Sequence, residues 1–264
     1  MSRLLDDKVV LVSGIGPGLG IHLATLAAEE GARLIVAART AEKLDGAERE
    51  VAALGLGTPV LKVPTDIARR EDCRRLVDAA IDRFGRIDVL INSAYIAGSF
   101  GPIEHADLDD WKNTLEVNLF GTLKLTQEVL PHMKKARRGS IVNVNSQVTR
   151  KPIAGQAGYA TSKAALACAT SYLALECGQY GIRVNSVFLG WMWGPPVAGY
   201  FEHVAMTQGT SIEAQKAAVA GLIPLGIIPP DRECARSIIY LASDLASVVT
   251  GAALDVNGGE YLPR

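Results

Sequence analysis

The sequence predicts an α/β protein built on a doubly wound parallel sheet with helices on both faces. Three observations lead there. Short apolar runs rich in β-branched residues recur along the chain, and longer amphipathic stretches separate them. The first such run also ends in a glycine-rich turn that opens a helix. Runs that are apolar on both faces suit strands covered from both sides, and regular βαβ alternation implies right-handed parallel crossovers.

The predicted strands are 9–12, 34–38, 60–63, 89–91, 141–144, 184–187 and 253–256, each four or five residues long or shorter. The predicted helices are 19–30, 41–54, 69–84, 107–135, 159–180 and 233–242. No repeat, linker or second composition zone interrupts them, so residues 1–264 read as a single domain. One long connection, about 190–225, stands apart from the alternation. It holds Trp191, Trp193, Tyr200 and Phe201, and long connections with their own aromatics tend to be binding loops or lids. The cluster Lys134, Lys135, Arg137 and Arg138 closes the 107–135 helix, where cations complement the helix dipole.

Composition removes several function classes. With 264 residues and 48% hydrophobic content the chain buries a large core without disulfides or metals. Lys and Arg number 27 against 28 Asp and Glu, giving a net charge of -1 and no bulk attraction for nucleic acid or an anionic membrane. Asp6 and Asp7 stand where a signal peptide is basic, and no apolar run approaches the roughly 18 residues of a spanning helix. Cys73, Cys168, Cys177 and Cys234 form no CxxC and have no His neighbours in ligand spacing, so they read as reduced core thiols without a metal. The expectation is a cytoplasmic protein.

The chemistry begins at Ser13-Gly14-Ile15-Gly16-Pro17-Gly18-Leu19-Gly20, between the first strand and the first helix. Glycines there permit a tight turn and close backbone approach to a phosphate, and the helix N-terminus adds free N–H groups. The spacing is GxxxGxG rather than GxGxxG, because position 19 is Leu. After the second strand comes Ala37-Ala38-Arg39-Thr40, with no acid to bind a ribose 2′-hydroxyl. Arg39 offers a permanent planar charge suited to a 2′-phosphate, which favours NADP without excluding NAD. The alternative is an ordinary surface arginine ahead of a helix cap.

Tyr159 and Lys163 lie four residues apart and share one helix face. An ammonium at about 5 Å in a medium of effective dielectric near 20 favours a phenolate by about 3 kcal/mol. That lowers the phenol pKa by roughly two units, toward the range useful for a general acid/base. Ser146 ends the fifth predicted strand, where parallel sheets present ligand-facing residues. Asn118, set among Val117, Leu119 and Phe120, needs a hydrogen-bonding reason to be there.

Taken together these features resemble the short-chain dehydrogenase/reductase family along essentially the whole chain. The resemblance rests on Gly14, Gly18 and Gly20, Asp66-Ile67, Asn92-Ser93-Ala94, Asn118, and Ser146 thirteen residues before Tyr159-Ala160-Thr161-Ser162-Lys163. The ending Asp255-Val256-Asn257-Gly258-Gly259 belongs to it as well. It implies a Rossmann-like fold and NAD(P)-dependent hydride transfer between a nicotinamide and a carbonyl or secondary alcohol. Tyr159 is then the general acid/base, and Lys163 lowers its pKa and binds the nicotinamide ribose. Ser146 binds the substrate oxygen, and Asn118 holds a water relay behind the lysine. The cofactor contacts implied are Gly14, Gly16, Gly18, Leu19, Gly20, Arg39, Asp66, Ile67, Asn92, Tyr159, Lys163 and Met192. Two departures stand out. Tyr95 replaces the glycine that usually follows Asn-Asn-Ala, and Gly194 stands where the family tends to carry a threonine near the nicotinamide amide.

The aromatic residues of 190–225, with Tyr95, point to a bulky apolar, lipid-like, steroid-like or cyclic substrate. Packing of the same aromatics on the core is the alternative. The 159–180 helix is apolar nearly all round, which predicts burial of both faces and fits the homotetramers of the family. Two further functions differ from the leading one: a catalytically silent dinucleotide-binding redox sensor, and an epimerase or dehydratase acting on nucleotide sugars.

Overall fold

In the computed structural model, which describes residues 3–263, seven strands form one parallel sheet. They are β1 (Val9–Ser13), β2 (Arg33–Ala38), β3 (Val60–Pro64), β4 (Val89–Asn92), β5 (Gly139–Ser146), β6 (Ile182–Leu189) and β7 (Ala253–Val256). Their spatial order is β3-β2-β1-β4-β5-β6-β7. The order reverses between β1 and β4, and at such a switch point the loops on the carboxyl edge part to leave a crevice. The chain thus has the doubly wound, Rossmann-like architecture that its alternation predicts.

Among the described residues nine α-helices connect the strands. On one face α1 (Leu19–Glu29), α2 (Ala41–Ala53) and α9 (Asp231–Ala242) pack through Leu23, Ala27, Leu44, Val51, Ala235 and Ile238. On the other, α3 (Arg70–Phe84), α5 (Thr122–Ala136) and α6 (Ala157–Cys177) pack through Leu76, Val77, Leu125, Val129, Met133 and Ala174. Strand residues feed the two sides alternately: Val10 and Val12 join the first cluster, Val9 and Leu11 the second. That alternation explains why the strands read as continuous apolar runs.

Three expectations change. The 107–135 helix is not continuous: α4 (Leu108–Leu115) gives way to a π-helical segment, Glu116–Gly121, before α5. Sequence periodicity does not register one widened turn, and such turns tend to occur at functional sites. Within one chain the second face of α6 is open, with Tyr172 62% and Leu175 78% exposed. Its buried positions form one stripe, Ser162, Leu166, Thr170, Ala174 and Cys177, so the lid of the same chain does not cover the other face. Cys168 lies on that open side, unlike the three buried cysteines.

The 190–225 connection contains two helices, α7 (Pro195–Gln208) and α8 (Ile212–Ala220). They build a small satellite core around Phe201, Ile223 and Ile228, with Trp191 and Trp193 packed against it. At the end of α5, Arg137 takes the left-handed cap conformation and Arg138 pairs with Asp88 at 3.3 Å. No described helix is long and apolar enough to cross a membrane.

Candidate active site

The carboxyl ends of the strands open onto a cleft of about 610 Å³. One end is walled by Arg39, Thr40, Lys43, Asp66 and Ile67, the other by Tyr95, Ser146, Tyr159, Lys163 and Trp191. The glycine-rich turn lies along its floor.

Each glycine of that turn has its own reason. Gly14 and Gly18 take φ of +98° and +89°, a region that favours glycine. A Cβ on Gly14 would sit 2.2 Å from the Ala94 nitrogen, and one on Gly20 would sit 2.5 Å from the Gly14 carbonyl. Gly16 has nothing near its missing Cβ and faces the cleft. No side chain caps the first turn of α1, so this floor fits the phosphates of an extended dinucleotide. Gly18 itself lies outside the lining, since its missing side chain makes room for Asp231.

Asp66 Oδ1 accepts from the Ala68 N–H at 3.0 Å and so closes its own turn, while Ile67 packs onto Gly121. Both line the cleft, as do Leu19 and Met192. Asn92 does not. It is 3% exposed, and its amide donates to Asn143 Oδ1 at 2.9 Å and to Thr126 Oγ1 at 3.3 Å. The pleat directs this side chain into an amide ladder beneath the cleft, where its Oδ1 stays without a partner.

Asn118 is fully buried, and its amide is used on every side. Its Oδ1 accepts from the Ile96 N–H at 2.8 Å, and its Nδ2 donates to the Ile96 carbonyl and to Ser162 Oγ, both at 2.9 Å. The widened π turn thereby ties the loop after β4, which carries Tyr95, to the helix that carries Tyr159 and Lys163. The Asn118 carbonyl accepts from the Thr122 hydroxyl at 3.0 Å. The geometry makes Asn118 a clamp between two walls of the site.

Tyr159 and Lys163 do share one helix face, but the lysine turns away from the phenol. Its Nζ donates to the Val144 carbonyl at 2.8 Å and stands 5.9 Å from the Tyr159 ring centroid. Burial with no carboxylate partner pushes the Lys163 pKa down to about 7. The Tyr159 phenol is pushed up, chiefly by burial and then by Tyr95, against a lowering hydrogen bond with Ser146. This reverses the direction expected from the YxxxK spacing. A half-neutralised lysine that points at a carbonyl does not offset the desolvation of the phenol.

The aromatic residues divide between two tasks. Tyr95 is 53% exposed in the cleft, with its ring centroid 6.0 Å from that of Tyr159. Trp191 also lines the cleft. Trp193, Tyr200 and Phe201 instead pack on one another at centroid distances near 5.9 Å, and Phe201 is 1% exposed. For Trp193 and Phe201 the packing alternative holds, and Tyr200, 53% exposed, stands outside the cleft lining, so the apolar wall of the cleft is smaller than the sequence suggests.

Sequence reasoning also missed three lining residues. Lys43 stands one helical turn beyond Arg39, and that spacing is a usable signal. Gln147 follows Ser146, is 4% exposed and leaves its Oε1 unpaired. Asp231 opens α9 far along the chain, and no local pattern announces it.

The fold and this arrangement have clear relatives. A family model described as Enoyl-(Acyl carrier protein) reductase matches residues 14–260. The chain belongs to the short-chain dehydrogenase/reductase family. It is 36% identical to the 3-oxoacyl-(acyl-carrier-protein) reductase FabG of Thermotoga maritima, over 97% of this chain and 98% of that protein. It is 35% identical to the trans-4-hydroxycyclohexanecarboxylate dehydrogenase of Sinomonas cyclohexanicum, over 98% and 96%. Among solved structures, levodione reductase superposes with a TM-score of 0.91 at 29% identity, covering 97% of this chain and 98% of that one. Similar structures include a xylitol dehydrogenase bound to NAD+ and an actinorhodin polyketide ketoreductase with NADPH. The chain is therefore an oxidoreductase of a family whose members use NAD(P), and nothing among these relatives supports the silent sensor.

Proposed function

We propose that the protein transfers a hydride between NADP and the carbonyl or secondary alcohol of a bulky, apolar, cyclic substrate. The observation that carries this reading is a single cleft lined at one end by Arg39 and Lys43 and at the other by Ser146, Tyr159 and Lys163. A dinucleotide with a 2′-phosphate matches two cations at its adenosine end. Asp66 and Ile67 flank the base, and the backbone at Gly14, Gly16, Leu19 and Gly20 receives the diphosphate. When bound, the nicotinamide supplies or accepts the hydride.

The other steps belong to side chains of this chain. Ser146 and the Tyr159 phenol converge on the oxygen of a carbonyl substrate. The phenol holds its proton at neutral pH because burial keeps its pKa high. In the reductive direction Tyr159 Oη therefore donates a proton to the carbonyl oxygen as the carbon gains the hydride, and in oxidation it takes that proton back. Lys163 stands on the same helix face, and its ammonium form favours the phenolate that remains once the proton has gone to the substrate oxygen. Asn118 holds the two walls in register.

Tyr95, Ile153, Trp191, Pro196 and Val197 give the substrate end apolar surface, which favours a ring over a polyol. The cyclohexane ring in the name of the Sinomonas relative agrees with that preference. The open face of α6, with Tyr172 and Leu175, supports assembly with further copies of the chain as a homotetramer. The test is steady-state turnover with NADPH on cyclic ketones and on small linear ketones and sugars. The reading expects kcat/KM at least about tenfold higher for the cyclic set, the worth of one to two buried methylenes. Preference for a sugar or polyol would overturn the substrate class.

A further inference from the structure

Gln147 follows Ser146 directly and opens a short 3-10 turn, Gln147–Thr149, at the end of β5. Its backbone is fixed, because its carbonyl accepts from the Arg150 and Lys151 N–H groups at 2.8 and 2.9 Å. Its side chain is 4% exposed, yet it lines the cleft. The two branches of the amide differ. Oε1 is sealed in without a partner, 2.8 Å from where a Cβ on Gly190 would lie. Gly190 is thus the position that admits the amide, and a ligand in the cleft does not reach Oε1. Nε2 is not sealed, and it donates to no described residue. A nearly buried carboxamide with an idle donor is costly unless something bound in the cleft takes it up.

The surroundings say what kind of group that is. Among the described residues that line the cleft, the basic ones are Arg39, Lys43 and Lys163. The first two stand at the far end, and Lys163 Nζ is committed to the Val144 carbonyl at 2.8 Å. Arg150, three residues beyond Gln147, lies outside the lining and is held by Asp255 at 3.1 Å. A carboxylate placed beside Gln147 would give up its water for a neutral amide, a poor exchange for a charge. An uncharged oxygen loses far less on leaving water, and one N–H satisfies it. Tyr95, Ile153 and Trp191 supply the apolar remainder of this end.

We propose that Gln147 is a specificity-determining residue whose Nε2 donates to a second, uncharged oxygen of the ring substrate, a keto or hydroxyl group away from the reacting carbon. The substrate class narrows to cyclic ketones and alcohols that carry a further neutral oxygen, and rings that bear a carboxylate fall outside it. This deepens the cyclic-substrate reading given above and rests on it. Ser146 and Tyr159 hold the reacting oxygen, so a fixed contact elsewhere on the ring sets its orientation in the cleft.

The experiment measures kcat/KM with NADPH for a set of ketones built on one ring. The set is cyclohexanone, 4-hydroxycyclohexanone, 1,4-cyclohexanedione and 4-oxocyclohexanecarboxylate. Each is scored relative to cyclohexanone, in the wild-type protein and in Gln147→Met, which keeps the length and loses the donor. Comparing the two proteins cancels the intrinsic reactivity of each ketone. The hydroxy and diketo rings should each lose about threefold or more of their relative value in Gln147→Met, the worth of one neutral hydrogen bond. The carboxylate should fall about tenfold or more below cyclohexanone in the wild-type protein. Should Gln147→Met fail to fold, as judged by its thermal transition, Gln147→Ala takes its place.

Relative values unchanged in the variant overturn the proposal, and so does a wild-type preference for the carboxylate. An effect on the hydroxy ring without one on the dione would mean that the amide presents its oxygen, which overturns the donor assignment. A loss of NADPH affinity in step with the lost preference would make Gln147 a cofactor contact and overturn it as well. Turnover of none of the rings, cyclohexanone included, overturns the cyclic-substrate reading itself. Turnover of cyclohexanone with no effect at Gln147 overturns this inference alone, so the two failures are distinguishable.

Discussion

The two ends of the cleft are built from different physics. At the Arg39 end the charged groups stand in solvent: Arg39 is exposed, and Lys43 shares its rim. Their attraction for a phosphate is long-ranged, screened by salt and tolerant of small displacements. At the Tyr159 end the titratable groups are desolvated. Lys163 is 2% exposed, and its pKa and that of Tyr159 are moved by burial rather than by ion pairing. One end carries charges that barely depend on their surroundings. The other sets its chemistry by surroundings that a linear motif does not reveal.

Substitutions at the two ends should separate accordingly. Tyr159→Phe removes the proton carrier, so kcat should fall by about 10²–10⁴-fold while the NADPH Kd changes little. Steady-state kinetics with a fluorescence titration checks both, and retained turnover would remove Tyr159 from its role. Phe201→Ala tests the satellite core against which Trp191 packs. Loss of this buried ring should cost about 3–5 kcal/mol, read by urea unfolding, with KM for a cyclic ketone rising as the Trp191 wall loosens.

Arg39→Asp should shift the ratio of NADPH to NADH affinities by about tenfold or more toward NADH, because a charge-assisted contact becomes a repulsion. The effect should shrink as salt rises. An unchanged ratio would make Arg39 an ordinary surface arginine.

A further expected effect is one of pH on stability. The Lys163 pKa falls from 10.5 to about 7 on folding. Between these values the unfolded chain holds a proton that the folded chain has released, so stability rises with pH from about 7 and levels near 10.5. The gain is at most about 1.4 kcal/mol per pH unit and is absent below pH 7, where both states are protonated. Lys163→Met should flatten that rise when urea unfolding is compared at pH 7 and pH 9. A parallel profile would mean that the ammonium is not desolvated.

The same contrast explains what the sequence reveals. The strands were legible because burial on both faces leaves continuous apolar runs, and the glycine turn because Gly14 and Gly20 each face a backbone atom that forbids a side chain. Arg39 could be read as an exposed charge at a strand end, which is where the structure places it. The direction of the Tyr159 shift could not, because it depends on where Lys163 Nζ points and on Tyr95 across the cleft. The π turn that lets Asn118 reach Ile96 and Ser162 leaves the apolar periodicity looking unbroken. Asp231 was invisible because its partners, Gly18, His22 and Gly194, come from two other segments of the chain. The aromatic connection misled in part, since an amphipathic pattern does not say which rings face a ligand and which, like Phe201, make a core of their own.

Titration of the purified protein with NADPH and then NADH, followed by nicotinamide fluorescence, tests the account most directly. It predicts saturable binding of both, with NADPH tighter by about tenfold or more and its advantage narrowing as salt is added. Binding of neither would contradict the reading of the cleft.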